Sequence, residues 1–77
     1  MLKQDLFQLI ASLLNVKTQE IKLDSTPDHF SSWDSFKHME LILAIEDKYS
    51  IKLTDKQIAQ IRNVEDMYKT IKDHGIY

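Results

Sequence analysis

The sequence predicts an all-α fold: a small four-helix bundle of three longer helices and one short one, with a long loop between the first two. Three observations lead there. Apolar residues recur at helical spacing in separate segments of the chain. Residues that start helices (Asp34 or Ser35, Thr54, Asn63) stand just ahead of those segments. No run alternates apolar and polar residues for long enough to make a strand, and Ile51-Lys52-Leu53 is too short to be a sheet alone. At 77 residues the chain is expected to form a single domain over residues 1–77.

The elements follow in order. Leu2, Leu6, Leu9, Ile10, Leu13 and Leu14 make an amphipathic helix over about residues 2–15. A loop of roughly residues 16–34 comes next, where Pro27 and its small polar neighbours deny a continuous helix. Loops this long in small domains are more often functional than idle. Phe30 and Trp33 should pin it to the core, helped by Ile21 and Leu23. A second helix covers about 35–49, capped by Asp34 or Ser35. Thr54-Asp55-Lys56-Gln57 has the form of a capping box, opening a short helix that carries Ile58 and Ile61. Asn63 caps a last helix with Val64, Met67, Tyr68 and Ile71 on one face, and Gly75 is its stop signal.

Composition excludes several classes of function. Hydrophobic residues are 43% and charged residues 29%, which suits a soluble globular chain. There is no cysteine, so no disulfide framework or thiolate metal site. His29, His38 and His74 show no metal-ligand spacing. Asp24, Thr26 and Asp28 mimic the first positions of a calcium loop, but His29 stands where glycine is required and Ser35 where glutamate is. No metal is expected. A net charge of −2 gives no basic face for nucleic acid. The charged start lacks the apolar run of a signal peptide, and no stretch reaches membrane-spanning length. The expectation is a cytoplasmic monomer without membrane insertion.

The second helix is the informative element. At about 100° per residue, Leu41, Ile42, Ile45 and Tyr49 fall together as a core face, with His38 beside them. The opposite side carries Phe36, Glu40, Leu43 and Asp47, flanked by Met39 and Glu46. A solvated face should be polar throughout. This one mixes large apolar side chains with carboxylates. Either the bundle buries the helix on both sides, or the stripe is a docking surface. There, apolar contacts would give affinity and acids would give orientation and encounter rate.

Ser35 sits at or next to the first free amides of the same helix, where a negative group such as a phosphate ester is favoured. Lys37 could add a positive contact. Alternatively, Ser35 or Asp34 merely caps the helix. A Ser-His-Asp catalyst from Ser35, His38 and Asp34 is disfavoured. Neighbours on one helix cannot readily make the directed chain of two hydrogen bonds, and no glycine-rich elbow surrounds the serine. No catalytic residue is assigned and the chain is not expected to be an enzyme.

The run Trp33-Asp34-Ser35-Phe36-Lys37-His38-Met39-Glu40-Leu41-Ile42-Leu43-Ala44-Ile45-Glu46-Asp47-Lys48-Tyr49 resembles the carrier segment of acyl carrier proteins. The resemblance implies a 4′-phosphopantetheine arm, taken from coenzyme A, on Ser35, with acyl groups held on its thiol as thioesters. It makes Asp34 part of the motif read by the phosphopantetheinyl transferase. It matches Glu40, Glu46 and Asp47 to acidic recognition positions, and Leu43 to an apolar contact bordering the acyl-holding interior. Acyl-loading and acyl-transferring enzymes are the further partners it implies. Ser32 replaces a usual glycine, Phe36 a usual leucine, and Lys37 stands where fatty-acid-synthesis carriers often have an acid. A Trp33-Asp34-Ser35 start with His38 third after the serine looks more like specialised stand-alone bacterial carriers of polysaccharide or secondary-metabolite clusters than a housekeeping fatty-acid carrier, with fatty-acid-type synthesis as the other pathway the resemblance implies. An aminoacyl or peptidyl carrier, and an unmodified helical adaptor, remain as alternatives.

Overall fold

The computed structural model describes residues 2–76. It contains four α-helices: α1 Leu2–Leu14, α2 Ser35–Tyr49, α3 Asp55–Gln60 and α4 Val64–Asp73. No strand occurs among the described residues. Three helices of 13, 15 and 10 residues and one of 6 make the expected bundle.

The three longer helices each bury one stripe. Leu2, Leu6, Ile10, Ala11 and Leu14 of α1 meet Leu41, Ile42 and Ile45 of α2 and Val64, Met67 and Ile71 of α4. Tyr49 packs against this core half-buried. Its buried hydroxyl has no hydrogen-bond partner among the described residues. Burial, and then the charge of Asp5, push the phenol's pKa upward.

Helix ends explain the boundaries. α1 stops at Leu14, one residue short of the expected 15, because Asn15 takes a left-handed conformation (φ 60°). The Val16 amide then reaches back to the Ala11 carbonyl at 3.0 Å, which satisfies a carbonyl the helix leaves open. Ser50 (φ 54°) ends α2 in the same way, with Ile51 N–H donating to the Glu46 carbonyl at 3.1 Å. Gly75 (φ 85°) follows α4 as its stop signal. α3 opens on the reciprocal box: Thr54 Oγ1 accepts from Gln57 N at 3.1 Å, and Gln57 Oε1 accepts from Thr54 N at 3.0 Å. α3 is shorter than expected. Ile61 lies one residue beyond it, extended and buried, as the chain turns toward the Asn63 cap of α4.

The long loop is more ordered than its sequence suggests. It holds two 3₁₀ turns, Thr18–Glu20 and Pro27–His29. Ile21 and Trp33 are buried as anchors, whereas Phe30 and Leu23 are only half-buried. The rest of the fastening is backbone. Leu23 and Ser25 carbonyls accept from Glu65 and Val64 N–H at 2.9 and 3.1 Å. Those are two of the amides that the start of α4 cannot satisfy internally. Ser32 Oγ donates to the Leu14 carbonyl at 2.9 Å, tying the loop to the end of α1. The segment running into α2 is therefore held at both α1 and α4.

Candidate functional site

The site grows from the junction between loop and α2. Asp34 is extended and caps the helix: its Oδ1 accepts from Lys37 N at 2.8 Å. That resolves which of two adjacent residues is the cap. Ser35 is the first helical residue instead, exposed, and its hydroxyl has no hydrogen-bond partner among the described residues. The Ser35 and Phe36 amides lie at positions where a helix offers no internal acceptor. A nearby anion would meet the positive end of α2.

Behind Ser35, Trp33 is buried and fixes the ring of His38. Trp33 Nε1–H donates to His38 Nδ1 at 3.1 Å, and the rings lie 6.0 Å apart and nearly parallel. With Nδ1 accepting, the imidazole proton resides on Nε2. Burial holds the His38 pKa below its ordinary value of 6.5, and the Ile61 backbone opposes this. Nδ1, the nitrogen with the free lone pair, is thus committed to Trp33. His38 ties the loop to α2, and that nitrogen is not free to take a proton from Ser35.

An open groove of about 690 Å³ begins at Ser35. Pro27 and Asp28 of the loop, His38 and Met39 of α2, and Ile61 and Arg62 beyond α3 line it, together with Trp33 and Asp34. The lining is largely apolar and includes two acids and one arginine.

The outer face of α2 stays uncovered. Phe36 is 74% exposed, Met39 45% and Leu43 59%. Burial on both sides of the helix is therefore not what happens. Asp47 is exposed on the same stripe. Three residues of the expected set, Lys37, Glu40 and Glu46, have other engagements. Lys37 Nζ lies 3.4 Å from Glu40 Oε1, so Lys37 belongs to the outer stripe and not to the Ser35 groove. Glu46 Oε2 accepts from Leu53 N at 2.9 Å, which staples the end of α2 to the segment before α3. Its carboxylate is partly spent on the fold. Arg62 was not signalled by any motif. Only its place beside Ile61 in the lining of the groove brings it to the site.

With this geometry in hand, comparison with known proteins is informative. The family model described as "Phosphopantetheine attachment site" matches residues 4–71. An acyl carrier protein of Chlamydia trachomatis serovar L2 is 30% identical over 95% of both chains. Acyl carrier proteins of Helicobacter acinonychis and Helicobacter pylori strain J99 are each 34% identical over 95% of this chain and 94% of theirs. The chain belongs to the phosphopantetheine-binding family of acyl carrier proteins. It is a carrier and not a catalyst, and phosphopantetheine is its cofactor. The residues fit such a group: a free serine hydroxyl stands at a helix N-terminus and opens onto a mostly apolar groove. No described helix is long and apolar enough to cross a membrane.

Proposed function

We propose that Ser35 is the attachment residue, and that the chain ferries acyl groups between enzymes of a specialised biosynthetic pathway. The observation that carries this is the division of labour at the head of α2. Asp34 supplies the cap, which leaves the Ser35 hydroxyl exposed and without a partner for a transferase to modify. The arm supplies a flexible tether ending in a thiol that holds acyl cargo. The chain's own residues do the rest. The Ser35 and Phe36 amides face the phosphodiester charge. The Trp33–His38 hydrogen bond keeps the junction from fraying. Phe36, Met39 and Leu43 offer apolar contact to partner enzymes, with Glu40 and Asp47 orienting basic surfaces. Such a patch is small, which suits brief visits to a phosphopantetheinyl transferase and to loading and transferring enzymes in turn. Work with a free thiol fits the cytoplasm, where thiols stay reduced. The near-neutral charge and the residues around Ser35 support a specialised carrier over a housekeeping one.

Peptide mapping of protein co-expressed with a phosphopantetheinyl transferase and a loading enzyme tests this. The expected result is an arm confined to the Ser35 peptide, with cargo released by neutral hydroxylamine as a thioester is. An arm on another serine removes the site assignment. Amino-acid cargo in place of an acyl group turns the chain into an aminoacyl carrier.

A further inference from the structure

We infer that Arg62 is the cation that holds the phosphodiester of the Ser35-linked arm, drawing the arm back along the groove between α2 and the α3–α4 junction. The inference rests on the assignment of Ser35 as the attachment residue.

Charge and position argue for it together. Attachment places one new negative charge at the Ser35 end of the groove. Two acids, Asp28 and Asp34, already line the groove. An anion placed there without a cation would meet like charges. Lys37, nearest in sequence, is engaged with Glu40 at 3.4 Å on the outer stripe. His38, the other basic side chain in the groove, has Nδ1 committed to the Trp33 indole at 3.1 Å, and burial disfavours its charged form. Arg62 remains: it is exposed and lines the same groove as Ser35. Its guanidinium has no ion-pair partner among the described residues. Its backbone is nonetheless fixed, because Arg62 N–H donates to Asp66 Oδ2 at 3.0 Å beside the Asn63 cap. A guanidinium on an anchored backbone suits a phosphate, which it can grip with two parallel hydrogen bonds. Beyond the phosphate, Ile61 and Met39 continue the groove as apolar wall for the rest of the arm.

The test is NMR on the phosphopantetheinylated protein, with loading checked first by intact mass. The Arg62 Nε–H cross-peak is expected to shift, and its exchange with water to slow, between the unmodified and modified forms. Arg62→Gln should move the phosphorus resonance of the modified protein, while Lys37→Gln leaves it in place. Arg62→Gln keeps the backbone donor to Asp66, so the variant should fold. If the modified protein shows the same Arg62 signal as the unmodified one, or if Lys37→Gln moves the phosphorus resonance as far as Arg62→Gln does, the inference is overturned and the carrier function stands. If wild-type mass shows no arm at all, the underlying assignment fails first and takes this inference with it.

Discussion

Glu46 divides the fold from the docking face, and replacing it separates the two. Its Oε2 accepts a 2.9 Å hydrogen bond from the backbone of Leu53, a residue only 5% exposed. In Glu46→Ala that amide loses its acceptor in a place water reaches poorly. A hydrogen bond to a charged group contributes about 1.5–3 kcal/mol. Alanine's better helix propensity returns only a few tenths of a kcal/mol. A net loss of about 1.5 kcal/mol is therefore expected. For a domain of this size that lowers Tm by about 6–12 °C, at roughly 4–8 °C per kcal/mol. Glu46→Gln retains a carbonyl oxygen at the same reach and should recover most of the loss. Asp47→Ala, one residue on and exposed, should stay within about 0.5 kcal/mol of wild type. Thermal melts followed by circular dichroism read all three. A Glu46→Ala protein that melts with wild type, or a Gln variant no better than Ala, refutes the staple.

Further expectations concern the exposed stripe, the imidazole and the orphan phenol. Phe36→Ala and Leu43→Ala should leave Tm nearly unchanged yet cut transfer to a partner enzyme on the order of tenfold, about 1.4 kcal/mol; loss of stability without loss of transfer would make these residues structural. Because burial depresses the His38 pKa below 6.5, the unfolded chain binds the proton first as pH falls. The contribution of His38 to stability is thus complete above pH 6.5 and declines below it toward the folded pKa. The fall in Tm between pH 7 and pH 5.5 should be smaller in His38→Gln, and an equal fall in both proteins would contradict the lowered pKa. Tyr49→Phe removes a buried hydroxyl that has no partner, so the variant should be as stable as wild type or gain up to about 1 kcal/mol; marked destabilisation would point to a missed hydrogen bond.

Much of the bundle can be read along the chain because its signals are local. The Thr54–Gln57 box, the Asn63 cap and the apolar stripes of α1 and α4 each lie within a few residues of the structure they specify. So does the exposure of Phe36, Met39 and Leu43, which follows once Leu41, Ile42 and Ile45 are placed inward. What spacing could not reveal depends on contacts between segments. Glu46 meets Leu53 only because Ser50 turns the chain left-handed. Ile61 reaches the groove beside His38 only by arriving from beyond α3. Arg62 enters the site by the same route, with no motif to announce it. The loop's fastening to α4 runs through the backbone of Leu23 and Ser25, where side-chain identity carries little information. The Lys37–Glu40 pair is different: its i, i+3 spacing was visible, and it competes with a phosphate role for Lys37.

Ser35, freed from capping by Asp34, is the residue proposed to accept the arm. Intact mass of wild-type and Ser35→Ala proteins, each incubated with coenzyme A and a broad-specificity phosphopantetheinyl transferase, decides whether it does. One phosphopantetheine is expected on wild type and none on Ser35→Ala, with both proteins showing the same helicity. Addition to Ser35→Ala, or no addition to a folded wild type, would contradict it.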